Sequence, residues 1–252
     1  MSQILGKIGT FAPVTPSTGY IAYFPCGQPT SSTVLTDRSG NGRDATLGAN
    51  LTAGNAWATS GKLTTAYGTN DGGCVLTQAQ MDSFTYGTDT LLVFFRAILT
   101  DPGANSGVFG ARTKGIAIRL LTTGVVDAVI NKDAGDNFPT GPTGDFADGT
   151  TEHSHLFVFD SVNLKMYVYN NAIVNSAITS AGANITSGAI TGNTTGWRIG
   201  GYSSTITCAG KFQAIHILRK TGGITSTYVA SLANRLHRAS HVPLSQTEWP
   251  VT

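Results

Sequence analysis

Glutamate is nearly absent from this chain: Glu152 and Glu248 are the only two in 252 residues. Most glycosidases hold two carboxylates about the bond they break, about 5–5.5 Å or about 6.5–9.5 Å apart depending on stereochemistry. No glutamate pair is available for that, and the aspartates form no pair at strand spacing. This predicts a chain that is not an enzyme. Other catalytic patterns are missing too. There is no Gly-x-Ser-x-Gly nucleophile turn and no phosphate-binding Gly-Lys-Ser/Thr loop. Gly40-Asn41-Gly42 lacks the third glycine of a dinucleotide fingerprint.

Charge is scarce as well. Asp, Glu, Lys and Arg make up 12% of the residues, about half the usual share. The net charge is +2 with Lys and Arg scattered, which argues against a nucleic-acid partner. The densest basic group, Arg235, His237, Arg238 and His241, falls at the end of an expected helix, where cations oppose the negative dipole end. Only three cysteines occur, Cys26, Cys74 and Cys208. Their odd number and wide spacing match neither a disulfide framework nor a zinc pattern. Buried thiols are expected, with one disulfide left open. The most apolar run, Leu91 to Leu99, contains Arg96 and is too short to span a bilayer, so no membrane partner is expected. Residues 1–20 hold no apolar signal core, and Pro13 and Pro16 interrupt them. The expectation is a soluble protein, made in the cytosol or with its export signal removed.

What the chain has instead is Gly, Ser, Thr and Asn, with 31 glycines, and 40% hydrophobic residues to fill a core. Short strands separated by turn signals recur: Tyr20–Phe24, Cys74–Thr77, Thr90–Leu99, Gly107–Ala111, Ile116–Leu121, Val125–Asn131, His153–Phe159, Leu164–Tyr169, Trp197–Tyr202 and Phe212–Arg219. Ile116, Ile118 and Leu120 alternate with Arg119 on the other face. Leu164 to Tyr169 alternates in the same way, the pattern of a strand with one buried face. Asn170-Asn171 supplies a hairpin turn, since Asn tolerates the left-handed region. One helix is expected, capped by Thr225 or Ser226, with Val229, Leu232, Ala233 and Leu236 on its apolar face. The predicted fold class is all-β, a two-sheet antiparallel jelly-roll sandwich with one short C-terminal helix. Residues 1–18 read as an N-terminal arm, 19–241 as the domain and 242–252 as a tail.

The stretch Asp37-Arg38-Ser39-Gly40-Asn41-Gly42-Arg43-Asp44 is a turn in nearly pure form. It resembles the Asp-x-Ser-Gly-Asn-Gly turn of the laminin-G-like, concanavalin A-like jelly rolls. Further likenesses follow in order. Phe84 to Ala97 resembles the family's long central strand, and Leu164 to Ile173 its Leu-x-Leu-Tyr-Val-Asn-Gly hairpin. Trp197-Arg198-Ile199-Gly200-Gly201 resembles its Leu-x-Ile-Gly-Gly strand, and Gly210 to Ile217 its Phe-x-Gly-x-Ile-Asp-x-Val strand. His153 to Phe159 resembles the strand that begins Trp-His-His, with Glu152 and His153 in place of the usual entry, and Asn171 stands where the hairpin has glycine. The resemblance covers about residues 20–240. It implies a binding fold for carbohydrate, protein or calcium, with a related branch that hydrolyses glucans through a Glu-x-Asp-x-x-Glu motif absent here.

For ligand contacts the aromatic candidates are Trp57, Phe138 and Tyr202, whose ring faces suit sugar C–H surfaces. Trp197 is expected in the core. No cofactor is expected. If an ion binds it is calcium, on Asp133, Asp136 and Asn137 of the loop 131–150, which also holds Asp145 and Asp148. The favoured reading of that loop is a solvated acidic one. Asp37, Asn41 and Asp44 are expected to bond the turn's own amides. His153 and His155 share a strand face and are expected to be ordinary strand residues rather than zinc or copper ligands. Ile4, Leu5, Ile8, Phe11 and Trp249 are apolar residues in segments too short to form their own core, and read as an assembly device. The leading functional expectation is a non-enzymatic virion component, a capsid decoration or tail protein partnered by its own copies or other virion proteins. The alternative is a secreted, extracellular lectin-like module that takes a cell-surface glycan. A divergent glycoside hydrolase ranks third.

Overall fold

In the computed structural model, residues 19–68, 72–81, 84–101, 103–111, 115–132, 135–137, 146–171, 173–178, 196–203 and 205–238 are described. The strands in chain order are β1 (Tyr20–Pro25), β2 (Val34–Leu35), β3 (Ala45–Leu47), β4 (Leu63–Thr65), β5 (Cys74–Leu76), β6 (Asp89–Thr100), β7 (Ser106–Gly110) and β8 (Ile116–Leu120). They continue as β9 (Val126–Lys132), β10 (Gly135–Asn137), β11 (His153–Asp160), β12 (Lys165–Asn170), β13 (Ile173–Ile178), β14 (Trp197–Ile199) and β15 (Ala209–Thr221). Two single-turn helices, α1 (Ala53–Ala56) and α2 (Gln78–Met81), sit in connections, and α3 (Ser226–Arg238) follows the last strand. The strands form two antiparallel sheets. The seven-stranded sheet runs β1-β15-β6-β11-β12-β13, with β4 also paired to β15. The eight-stranded sheet runs β10-β9-β8-β7-β14-β5-β3-β2. The expected all-β sandwich with a short C-terminal helix is what forms.

Period-2 alternation sorts the core into two layers. On β6, Leu91, Val93, Phe95, Ala97 and Leu99 face the core between the sheets. Leu92 and Phe94 face the opposite way, into a second cluster with Val229, Leu232, Ala233 and Leu236 of α3. The helix forms where expected. Its apolar residues recur every three to four positions, and the Thr225 hydroxyl accepts the Tyr228 N–H at 3.3 Å as a cap. Burying each of those large side chains contributes about 1.5–3 kcal/mol.

The helix also explains a departure from the sequence expectation. Leu164 to Tyr169 reads as a strand with one buried face, yet Tyr167 and Tyr169 on the other face are 4% exposed because they belong to the cluster under α3. The hairpin turn that follows is as expected, with Asn171 at φ 48°. Strands β2, β3, β4, β10 and β13 were not legible. The first four are two or three residues long, too short for any periodicity to register.

The loop between β2 and β3 is tied together by one buried carboxylate. Asp37 Oδ1 accepts the N–H groups of Tyr23 at 2.9 Å and Ser39 at 2.8 Å. Its Oδ2 accepts the Ser39 hydroxyl at 2.8 Å and the Arg43 N–H at 3.0 Å. Asn41 Nδ2 donates to the Tyr20 carbonyl at 2.8 Å, which joins the loop to β1. Gly40 and Gly42 hold φ of 89° and 66°, values that side-chain-bearing residues adopt only with strain. All three cysteines are free and buried. Burial drives each thiol pKa up, that of Cys208 to about 12.

Asp37→Ala leaves the buried Tyr23 N–H without its acceptor and frees the Ser39 and Arg43 amides. The expected loss is about 2–4 kcal/mol in urea unfolding. A loss below about 0.5 kcal/mol, the scale of an ordinary surface substitution, means that the loop does not depend on this carboxylate.

Candidate functional site

The face of the eight-stranded sheet turned away from the core carries Arg119, Asp127 and Arg198. On β8, Ile116, Ile118 and Leu120 belong to the inter-sheet core, so Ala117 and Arg119 point outward. Arg119 lies opposite Asp127 of β9. Its Nε and Nη2 donate to the two carboxylate oxygens at 3.0 and 2.6 Å, a bidentate pair. On the other flank Arg119 lies opposite Gly107 of β7. A Cβ at Gly107 would stand 2.6 Å from Tyr202 Cδ1, Tyr202 N and Ile206 O. The missing side chain is therefore what lets the Tyr202 turn settle on this row. That turn is closed by the Tyr202 N–H donating to the Ile206 carbonyl at 3.2 Å.

The next row lies two residues along β8, about 7 Å away, and three along β7, where the register shifts between Gly107 and Phe109. It runs from Arg198 of β14 through Gly110 of β7 to Ala117 of β8. Arg198 points outward because its neighbours Trp197 and Ile199 are both core residues. The two rows bring Gly110 and Ala117, both buried, beside Arg198, the Arg119–Asp127 pair and Tyr202. Exposure is low throughout: 8% for Arg198, 8% for Tyr202 and 2% for Asp127. Burial raises the Asp127 pKa, opposed by hydrogen bonding and charge from Arg119.

Of the expected ligand aromatics, Tyr202 lies at this face. Trp57 does not. It is 3% exposed, and its indole N–H donates to the Ser32 carbonyl at 2.7 Å. The ring is a core ring, placed there as the C-terminal residue of the α1 turn, and presents no stacking surface. Phe138 and Asp133 lie outside the described residues, as do Ile4, Leu5, Ile8, Phe11 and Trp249. Asp136 and Asn137 form β10, whose backbone pairs with β9. Asp37 is saturated by hydrogen bonds within its own loop and with β1, as the sequence reading anticipated for that turn. Asp148 bonds the amides of Thr150 and Thr151 and the Thr151 hydroxyl, which holds its carboxyl below the usual range. Among the described residues no group of three His, Cys, Asp or Glu side chains converges to hold a metal. His153 and His155 do share a face, the one toward the inter-sheet core.

Sequence reasoning did not single out Asp127 or Arg198. Their signal was available: each is a charged residue flanked on both sides by strand residues of the core.

No family model matches the chain, and no curated protein matches it. Solved structures do. Trypanosoma rangeli sialidase in complex with 2-keto-3-deoxy-D-glycero-D-galacto-2,3-difluoro-nononic acid aligns with a TM-score of 0.58 at 16% identity, over 89% of this chain and 33% of the sialidase. The CBM40 of Ruminococcus gnavus IT-sialidase bound to α2,3 sialyllactose aligns with a TM-score of 0.52 at 13% identity, over 68% of this chain and 95% of that one. This chain thus spans about a third of the length of the sialidase. At such identities the likeness shows the fold alone, a two-sheet antiparallel β-sandwich.

These neighbours overturn the expectation that the chain is not an enzyme. That expectation leaned on the missing glutamate pair, and sialidases are an exception to the two-carboxylate rule because their nucleophile is a tyrosine. The fold occurs within sialidases, so glutamate scarcity does not separate this chain from hydrolases.

Asp127→Ala leaves the Arg119 guanidinium without its bidentate acceptor on a face of low exposure. The expected cost is about 3–5 kcal/mol in denaturant unfolding. A near-neutral result means that the pair is solvated and contributes no more than a surface ion pair.

Proposed function

We propose that this chain is a carbohydrate-binding β-sandwich, and that the outer face of the eight-stranded sheet is where it meets a glycan. The observation that carries the reading is the placement of Arg198, Tyr202 and the Arg119–Asp127 pair on neighbouring rows of one sheet face, beside the small residues Gly110 and Ala117. A pyranose needs a flat or shallow floor, an aromatic edge to lie against and fixed polar groups to read its hydroxyls. An acidic sugar needs a guanidinium as well. Arg198, at 8% exposure, is largely desolvated, which strengthens a charge-assisted bond to a carboxylate. The neighbour bound to α2,3 sialyllactose supports an acidic glycan as the first probe.

The lectin-like reading, with an extracellular glycan as partner, has more support than a virion role. Neither neighbour described above is a virion protein, and the terminal segments that motivated assembly are not among the described residues. A catalytic reading rests on the sialidase neighbour and is tested in the same tubes.

Titration calorimetry with α2,3 sialyllactose and with lactose is the test. The wild-type chain is expected to bind the acidic sugar, and Arg198→Ala to weaken it about 10-fold or more while retaining the far-UV spectrum of the fold. Absence of binding to both sugars, or equal affinity in the variant, overturns the assignment of this face. Release of free sialic acid during the titration establishes hydrolysis.

A further inference from the structure

Far from that face, at one end of the inter-sheet core, two imidazoles sit side by side on β11. His155 is 0% and His153 9% exposed, with ring centroids 6.4 Å apart. Their inner nitrogens are fixed by the residues after β12's last tyrosine. His155 Nδ1 lies 2.5 Å from Asn170 Oδ1. A carbonyl oxygen only accepts, so Nδ1 carries the proton and Nε2 of the neutral ring is a bare lone pair. Asn171 takes the Ser154 N–H on its oxygen at 3.0 Å and turns its amide nitrogen to His153 Nδ1 at 2.9 Å. In neutral His153, Nδ1 is therefore the acceptor and Nε2 carries the proton. Neither Nε2 has a hydrogen-bond partner among the described residues.

The Phe146 ring stands edge-on to both imidazoles, 5.3 Å from His153 and 6.0 Å from His155. The segment that delivers it pairs with the end of β6 and with the turn between β8 and β9. The Phe146 N–H donates to Gly124 O at 3.1 Å, the Asp101 N–H to Ala147 O at 2.9 Å and the Gly149 N–H to Leu99 O at 2.9 Å. On the other side of His155, Phe95 of β6 lies 4.9 Å away. We propose that His155 is the acid trigger of a latch: while neutral it lets Phe146 close the end of the sandwich, and protonation at Nε2 releases the Phe146–Gly149 segment.

The chemistry around the ring argues for release rather than tolerance. Among the described residues, a proton arriving at Nε2 finds no hydrogen-bond acceptor. β6 presents Phe95, the latch segment presents Phe146, β12 presents Asn170 and β11 presents His153. The nearest acid in sequence, Glu152, is engaged by Lys62 at 2.8 Å and Arg96 at 2.5 Å. Burial, opposed by the Asn170 hydrogen bond and helped a little by His153, lowers the His155 pKa from 6.5 to about 3. The sign follows. The closed state is fully favoured above the ordinary imidazole pKa, and that advantage is lost progressively as pH falls from 6.5 toward 3.

Native-state hydrogen exchange on the wild-type chain tests this, comparing the amides of Asp101, Phe146 and Gly149 between about pH 7.5 and about pH 4.5 after correction for intrinsic rates, with an expected rise in their opening constants of up to about 100-fold. Amides in the β11–β12 ladder should rise less. His155→Gln and His155→Asn, which do not titrate, should abolish the excess rise. The latch is overturned if the three wild-type amides change no more than the ladder amides. It is equally overturned if either folded variant keeps the full pH response. Should neither variant fold, the wild-type comparison alone decides.

Discussion

The fold depends on β6 having almost no wet face. This strand is paired along its length with β15 on one side and with β11 on the other. Its odd-numbered residues from Leu91 face one core, and Leu92 and Phe94 face the other. A strand so placed must be apolar at nearly every position, which is why the most apolar run of the chain is here. Its exceptions are informative. Arg96 and Ile98 are partly exposed, and Arg96 uses its position to donate to the His237 carbonyl at 3.3 Å and to meet Glu152. The last turn of α3, whose carbonyls lack helical partners, is thereby fastened to the sheet it covers.

Much of this was legible because alternation and helical periodicity are direct consequences of which side a residue faces. Ile116 to Leu120, the α3 stripe and the Asp37 loop were each readable from local chemistry. The second burial layer was not. Tyr167 and Tyr169 look amphipathic in sequence, and only the docking of a helix far along the chain puts them in a core. Trp57 misled for the same reason: a tryptophan among small polar residues looks like a loop ring, and tertiary packing made it a core one.

The candidate site shows a different limit. Arg119 was visible as the polar member of an alternating strand, but its meaning comes from neighbours on β9, β7 and β14 that are distant in sequence. Gly107 and Gly110 read as strand-weakening residues in isolation. In the fold Gly107 leaves room for the Tyr202 turn, and Gly110 lies opposite Arg198. The case against hydrolysis failed at the level of chemistry rather than geometry, because it applied a rule about paired carboxylates to a fold shared with enzymes that do not use one.

The three buried thiols have a consequence of another kind. A thiol reacts as its thiolate, and in the folded chain Cys26, Cys74 and Cys208 are free, enclosed and disfavoured from ionising. The sandwich holds together without a disulfide, and none of its three thiols is accessible to an oxidant. Its integrity is thus decoupled from the redox poise of its surroundings, and the same native state suits an oxidising exterior and a reducing interior alike.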